Sequence, residues 1–457
     1  MEVEERQGWK RILDTGRMRK IFGLAWPSIL ENLATTITNI IDTVMVSPLG
    51  PAAVAAVGIT IQPIFLFLSP IIAMYVAVAA IVARRKGEGK REEANRTVMS
   101  VLVFSLIIYL LIALVINLYY DPLLRFMGSN PEIHDDAALY LRILLTGSVF
   151  NIMTMIINAG HSGSGNTRIA FISNLVSSVV NICCNYLLIQ GHLGFPELGV
   201  TGAAIASITG QFFGFLVSLG SLFQHDSFIQ IRYCVQKKIC PAFEALKAVA
   251  SLAVNIFVEN ILMRVGFMVT AMQAASLGTE VFATHNVGMN LLNFGFSLAS
   301  GMQTAAVAST GSALGAGKKR RAMDYGYTCL FIGVILSVFW FITLFFFGGA
   351  FFRITFSEAS YIVRGIRISR YVMFIVFFQI ISIVCAGALR AAGDVRYTLV
   401  VSTITITVIR SLVTVVLVQL FHMGIDGIWL GILAHQFSSA VLMMLRFHQG
   451  KWVNLKI

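Results

Sequence analysis

The stretch ENLATTITNIIDTVMVSPLG (31–50) is matched by ENILMRVGFMVTAMQAASLG (259–278), which lies 228 residues further along the chain. Three further pairs of segments match in the same order, two at this shift and one at a slightly smaller shift. They are KGEGKREEA (86–94) with LGAGKKRRA (314–322), AGHSGSGNTR (159–168) with GALRAAGDVR (387–396), and GVTGAAIA (199–206) with GIDGIWLG (424–431). Each match is weak alone, but ordered matches over half the chain indicate an internal duplication.

The composition places both copies in a membrane. Of the 457 residues, 57% are hydrophobic and only 12% are charged, which is too few charges for a surface that faces water. Apolar runs of about twenty residues, enough for a helix to cross a bilayer, recur along the chain. We count twelve, at 21–46, 53–83, 96–119, 137–160, 169–190, 200–223, 246–274, 281–311, 326–350, 366–389, 397–421 and 427–446. The prediction is an all-α polytopic membrane protein, because a β-barrel would show short alternating segments.

The duplication and the number of spans together predict two homologous six-helix bundles. The N-lobe comprises residues 1–228 with helices 1–6, and the C-lobe comprises residues 229–457 with helices 7–12. Because six is even, both copies enter the membrane from the same side, which is the parallel-repeat arrangement of some transporters. The polar stretch 224–247 is the predicted linker.

The formal net charge of +12 lies mainly on one side of the predicted membrane. That side carries the basic residues of the N-terminal segment and of 84–96, 232–238 and 318–321. The positive-inside rule makes it cytoplasmic, so we expect both termini in the cytoplasm and the protein in the inner membrane. We find no basic face for nucleic acid and, in the first twenty residues, no apolar core of a cleavable signal peptide. We expect a monomer surrounded by lipids.

Polar residues follow one face of the first span. Glu31, Thr35, Thr38 and Asp42 are spaced i, i+4, i+7 and i+11, and Asn39 lies beside them. A charged acid at the bilayer centre costs roughly 2.5–3.5 kcal/mol, so these acids should face a protein interior or a hydrated cavity. A carboxylate that takes up and releases a proton, or binds Na⁺, is what an ion-coupled transporter needs. The alternative is a structural acid bonded to a donor.

Other spans carry polar stripes as well. The fifth has Asn174, Ser178, Asn181 and Asn185 at the same spacing, and the fourth includes Asn158. Buried amides often only join helices, but several stripes together suggest a hydrated central cavity.

The second copy keeps an acid, Glu259, where the first has Glu31, and it has Thr270 where the first has Asp42. It adds two basic residues within its spans, Arg264 and Arg410. We expect Glu259 to pair with one of them, either as a structural pair or as part of ion coupling.

These segments resemble the multidrug and toxic compound extrusion (MATE) family, whose members are twelve-helix antiporters. AWPSILENLATTITNIIDTVMVSPLG (25–50) is similar to the first helix of the family. GALRAAGDVRYTL (387–399) resembles its motif after helix ten, and NICCNYLLIQGHLGFPELGVTGAAIAS (181–207) resembles its stretch across helices five and six. The pattern is most similar to the DinF-like branch, in which ion coupling resides in the N-lobe.

The resemblance implies roles for individual residues. Pro27 matches the proline at which the first helix bends, Asp42 the coupling acid, and Asn181 an asparagine of the N-lobe cation site. Ser207 stands where the family usually has Thr, and Asn185 stands where many prokaryotic members have Asp. The missing carboxylate favours H⁺ over Na⁺, because hard cations prefer several oxygen ligands with carboxylate charge, unless Glu31 contributes. Candidates for the substrate-lining surface are Thr35, Asn39 and Asn158.

The predicted function is secondary antiport. The protein would export amphipathic, cationic organic compounds (drugs, toxins or a metabolite) in exchange for H⁺ or Na⁺, by alternating access of the two lobes and without a cofactor. The alternative is a lipid-precursor or glycolipid flippase of the related superfamily, although such proteins commonly have more helices and a more basic cavity. An enzyme is not expected, since the spans hold no HExxH motif and the eight histidines show no metal-ligand spacing.

Overall fold

The structure is a computed structural model that describes residues 14–127, 129–356 and 358–455. Within these residues twelve long helices follow one another and no strand is present, which confirms the predicted fold class. They are α1 Thr15–Val46, α2 Pro51–Gly87, α3 Arg91–Phe126, α4 Pro131–Gly163, α5 Thr167–Leu188, α6 Gly199–Ser221, α7 Phe243–Ser276, α8 Thr279–Gly315, α9 Lys319–Thr355, α10 Ala359–Ala391, α11 Val395–Leu420 and α12 Ile425–His448. Both chain termini, predicted to be cytoplasmic, lie outside the described residues.

Ten of the described helices are long and apolar enough to cross a membrane, and α1 and α8 are not among them. These two have 32 and 37 residues, so length is not what separates them from the others. Both carry polar residues within their spans: α1 carries the Glu31–Asp42 stripe, and α8 carries the exposed asparagines Asn286, Asn290 and Asn293.

The duplication is visible in the backbone as well as in the sequence. Gly50 and Gly278, the last residues of the first matched pair, have φ angles of 104° and 103°. These left-handed conformations are open to glycine and strained for most other residues. Three more glycine pairs with positive φ recur in the matched segments: Gly89 with Gly317, Gly165 with Gly393, and Gly199 with Gly424. The repeated segments therefore form the same turns in both copies.

The helices form two compact units, Leu30–Val254 and Met1–Ile29 with Asn255–Ile457. The division falls within α1, two residues beyond Pro27, and within α7. The duplication would instead divide the chain between residues 228 and 229, and that lobe boundary stays a prediction. In the first unit α4 packs against α2, α3 and α6, and in the second α10 packs against α8, α9 and α12.

The predicted linker is not a free loop. It contains a short helix, Ile231–Gln236. The Arg91 Nη2 donates to the Ser227 carbonyl at 2.8 Å and to Gln230 Oε1 at 3.0 Å, and the Gln230 backbone N–H donates to Asn95 Oδ1 at 2.9 Å. These bonds fasten the linker to the start of α3, within the first unit.

Helix α11 departs from regular α-helix over two segments, Thr403–Arg410 and Val416–Leu420, which have π-helical geometry. Such turns are rare and often mark functional positions. Next to the first segment α7 approaches very closely, since a Cβ on Gly266 would collide with the carbonyl oxygen of Ile406. This approach places the middle of α7 directly against the π-helical part of α11.

Candidate functional site

The polar stripes of α1 and α5 meet each other in the first unit. Asn174 Nδ2 donates to Glu31 Oε1 at 2.6 Å, and Asn185 Nδ2 donates to Asp42 Oδ1 at 2.6 Å. Both pairs are separated by 143 residues in the chain. The two helices therefore run parallel and in register, and the two acid–amide pairs lie eleven residues, about 16 Å, apart along them.

The Asp42 pair continues into a chain of amide and hydroxyl groups. Asn185 Nδ2 also approaches Asn181 Oδ1 at 3.3 Å, and Asn181 Nδ2 donates to Ser207 Oγ at 3.3 Å. The structure thus brings together four of the five residues predicted for cation coupling. The fifth, Glu31, lies three helical turns away with its own amide partner.

Glycines of α6 allow this chain of polar groups, the relay of Asp42, Asn185, Asn181 and Ser207, to form. A Cβ on Gly210 would lie 2.5 Å from the Ser177 carbonyl oxygen and 2.9 Å from Asn181 Cβ. A Cβ on Gly202 would lie 2.5 Å from the Leu188 carbonyl oxygen. With no side chain at these positions α6 packs directly on the α5 backbone, as small residues allow in membrane helices. This contact places Ser207 within reach of Asn181.

The site has an unused acceptor and a small cavity. Asn185 is 1% exposed, and its Oδ1 is buried without a hydrogen-bond partner among the described residues. A cavity of about 50 Å³, lined by Met45, Asn185, Tyr186, Ile189 and Gln190, adjoins it. A space of this size holds one or a few waters. Water or a small cation in this cavity would lie next to Asn185, the residue that is bonded to Asp42.

The acids of α1 differ from Glu259 in how their charge is balanced. Glu31 and Asp42 form no ion pair within the described ranges, and each is bonded to a neutral amide. Glu259, 1% exposed, instead pairs with Arg390 Nη2 at 2.7 Å. The expected pairing of Glu259 with Arg264 or Arg410 is therefore wrong. Its partner is the arginine of the GALRAAGDVR segment, which α10 carries back towards α7.

The remaining predicted residues fall into two groups. Thr35 and Asn39 are exposed on α1, where a lining surface requires them to be. Asn158 is 2% exposed, donates to Ser173 Oγ at 2.9 Å and accepts from Ser218 Oγ at 3.0 Å. These bonds join α4, α5 and α6, which favours a structural role for Asn158.

Pro27 lies inside α1, which continues from Thr15 to Val46. Proline removes one backbone hydrogen bond from a helix and permits a bend. Its position, two residues before the division between the compact units, is where a bend in α1 would act. The conformational role of Pro27 stays a prediction.

Sequence reasoning missed two partners. Asn174 was part of the α5 stripe but was not assigned to Glu31, although both stripes have the same eleven-residue interval between their polar ends. Arg390 gave no such signal, because its distance from Glu259 in the sequence does not reveal that α7 and α10 meet there.

A duplicated twelve-helix membrane protein with acids of unbalanced charge in its first helix belongs to the class of two-lobed transporters. The sequence profile of the MatE family matches residues 27–187 and 256–416, one match in each copy and together well over half of the chain. The chain belongs to this family, the MATE transporters.

Individual relatives agree with this. The chain is 27% identical over 436 residues to "Probable multidrug resistance protein NorM" of Thermotoga maritima, covering 95% of this chain and 93% of that protein. Among solved structures it is similar to an outward-facing multidrug resistance MATE family transporter of the MOP superfamily, with TM-score 0.88, 22% identity and coverage of 95% and 97%. It is also similar to a MATE protein in the bent conformation, with TM-score 0.85, 21% identity and coverage of 97% and 98%.

The structural likenesses show a shared fold. The family match favours a transporter of this type over the lipid-precursor flippase, and the DinF-like branch stays a prediction.

Proposed function

We propose that the protein is a secondary antiporter that exports amphipathic, cationic organic compounds in exchange for H⁺. The observation that carries the proposal is Asp42, a half-buried acid bonded to one amide and paired with no cation in the described structure. A charge of this kind is costly within a membrane unless a proton or another cation neutralises it. Binding and release of that cation can therefore be coupled to a change of conformation.

The proton is favoured over Na⁺ because of the ligands around Asp42. The carboxylate has neutral amide and hydroxyl neighbours, Asn185, Asn181 and Ser207, and no second acid within this relay. Na⁺ would require several oxygen ligands with carboxylate charge. The unused Oδ1 of Asn185 is the one feature that favours Na⁺, so Na⁺ coupling is the second candidate.

The ion gradient supplies the driving force. The membrane potential adds to it when more positive charge enters than leaves, by about 2.3 kcal/mol for each net charge and each 100 mV. In the proposed cycle the ion enters along the gradient, neutralises Asp42, and releases the organic cation outward as the lobes change their access. Pro27 would allow α1 to bend between the two states.

The proposed location is the inner membrane, with both termini in the cytoplasm and lipids around a monomer. Basic residues cluster in the last turn of α2 and from the end of α8 into the start of α9, including Arg84, Arg85, Lys318 and Arg320. Clusters of this kind mark the cytoplasmic side.

The test is transport by the purified protein in vesicles, with a pH gradient or a Na⁺ gradient imposed separately. We expect wild type to move a fluorescent organic cation under the pH gradient and Asp42→Asn to lose that transport while still binding the dye. Glu31→Gln is the matched comparison, because it removes the other acid–amide charge on the same helix. Transport by Asp42→Asn at the wild-type rate would make Asp42 structural and overturn the proposal.

A further inference from the structure

The C-lobe contains a buried arginine with no acidic partner. Arg410, on the first π-helical segment of α11, is 2% exposed. Its Nε donates to Thr270 Oγ1 at 2.9 Å, and its guanidinium lies 4.7 Å from the ring centre of Phe267. In the part of the chain that the structure describes, Nη1 and Nη2 form no hydrogen bond and no carboxylate pairs with Arg410.

The same lobe contains further buried donors that have no partner in the described structure. Helix α12 packs against the segment of α11 that ends at Arg410. Two histidines, His285 of α8 and His435 of α12, are 3% and 4% exposed. Their Nδ1 atoms have no hydrogen-bond partner among the described residues, and neither has Nε1 of Trp429, whose ring centre lies 5.4 Å from that of His285. Helices α8, α11 and α12 of the C-lobe thus carry buried groups that can donate hydrogen bonds, whereas the Thr270 hydroxyl of α7 already donates to the Gly266 carbonyl.

Arg410 differs in this respect from Arg390, a half-buried arginine of the same lobe. Arg390 is balanced by Glu259, whereas Arg410 has only a hydroxyl and an aromatic ring. A guanidinium stays charged in proteins, so it cannot avoid the cost of burial by losing its proton. A buried charge without a partner is strongly unfavourable. The missing negative charge must therefore come from a bound group.

We infer that the C-lobe holds a buried binding site for a monovalent anionic group, a carboxylate or chloride, with the Arg410 guanidinium as its main ligand. Nη1 and Nη2 present the planar pair of donors that suits a carboxylate, and Trp429 and the histidines supply further donors. The carboxylate would belong to an organic compound that the protein carries, and chloride would be a free ion from solution.

Corresponding helices of the two copies thus carry charged groups of opposite sign. Helices 1 and 5 of the N-lobe join an acid to an amide, Asp42 to Asn185, while helices 7 and 11 of the C-lobe join a hydroxyl to a base, Thr270 to Arg410. The anion site goes beyond the proposed function and stands whether or not the N-lobe binds H⁺.

The first test is thermal unfolding of the purified protein in detergent, with potassium chloride or potassium benzoate titrated at constant ionic strength. A ligand that binds the folded state raises the midpoint temperature in a saturable way. We expect saturable stabilisation of wild type. Arg410→Gln should lower the apparent affinity at least about tenfold, and Arg410→Lys, which keeps the positive charge, should retain part of it. Arg396→Gln, an exposed arginine on the same helix, is the matched control and should behave as wild type.

The two anions separate the sources of the charge. Stabilisation by benzoate alone assigns the site to the carboxylate of an organic compound, and stabilisation by chloride alone assigns it to the free ion. Competition between them shows that either can occupy it. No saturable effect of either anion on wild type, or an equal effect on Arg410→Gln, overturns the inference.

A second measurement does not depend on the folding of Arg410 variants. Bromide quenches tryptophan fluorescence on contact, and Trp429 is fully buried. We expect saturable quenching of wild type that disappears in Trp429→Phe. Quenching that is unchanged in Trp429→Phe would show that the anion does not reach this site.

Discussion

Three buried or half-buried acids of this chain differ in the residue that is bonded to the carboxylate. Glu31 and Asp42 are each bonded to an asparagine, whereas Glu259 is bonded to an arginine. An ion pair fixes the charged form of its acid, because removing either partner leaves a buried charge unbalanced. An amide partner leaves the acid free to change its charge. The N-lobe acids are therefore the ones suited to binding a cation reversibly.

The same reasoning predicts that one substitution will change the preferred ion. Asn185→Asp places a second carboxylate against Asp42, and two adjacent carboxylates favour a hard cation between them. We expect the apparent affinity for Na⁺ to rise about tenfold, or about 1.4 kcal/mol. It is measured as the Na⁺-dependent rise in unfolding temperature at constant ionic strength set with K⁺.

Asn174→Asp is the matched control, because it adds the same charge beside Glu31, outside the relay. An identical Na⁺ response of Asn185→Asp and wild type would show that the Asp42 relay does not bind Na⁺ even when a second acid is present.

At the scale of helices, the site depends on how closely α6 lies on α5. Gly210 and Gly214 leave no side chain between the two backbones, and Asn181 is held where it meets Ser207. The polar residues of the relay thus owe their positions to apolar and small neighbours. The relay is built by packing as much as by hydrogen bonds.

We therefore expect Gly210→Ala to damage the site although it replaces none of the polar residues there. The added Cβ would lie 2.5 Å from the Ser177 carbonyl oxygen, so α6 must move away. Overpacking of this kind costs about 1–3 kcal/mol. Unfolding temperature and ion-driven transport should both fall.

Gly220→Ala is the control on the same helix, since a Cβ there meets nothing within 4 Å. It should be neutral or stabilising by up to about 1 kcal/mol, because alanine is the better helix former. Equal effects of the two substitutions would mean that the α5–α6 contact does not determine the site.

The sequence predicted the helices and the N-lobe residues better than it predicted partners. Hydropathy and the repeat were sufficient for twelve helices, because length and apolar composition are local properties. The i, i+4, i+7, i+11 spacing in α1 and α5 was sufficient to nominate Asp42 and Asn185. The predicted partner of Glu259 was wrong, and the π-helical segments of α11 were not predicted. Both depend on contacts between helices that are distant in the sequence.

At the scale of the whole molecule, the orientation in the membrane can be tested with the linker cysteines. Cys240 is exposed, whereas Cys234 in the same linker is buried and lies 3.6 Å from Asn95 Oδ1. Burial raises the pKa of the Cys234 thiol, although the nearby charge of Arg91 opposes this. A raised pKa leaves less thiolate at neutral pH, so Cys234 should react slowly there and faster only as the pH rises.

We expect a membrane-impermeant maleimide to label Cys240 in cells only after the membrane is permeabilised, because the linker is predicted to be cytoplasmic. The Cys240→Ser variant identifies the labelled residue, and Cys234→Ser should leave the labelling at pH 7 unchanged. Labelling of Cys240 in intact cells would reverse the proposed orientation.

The paired left-handed glycines described above also bear on how such a chain can change over generations. Each copy has four such turns, and each turn contains one glycine whose backbone conformation most other residues cannot adopt without strain. After a gene is doubled, each copy can then alter its helix surfaces independently while the scaffold that carries them persists. In this chain one copy bears aspartate and asparagine and the other threonine and arginine. Doubling thus supplied a second scaffold on which the sign of the buried charge could be reversed.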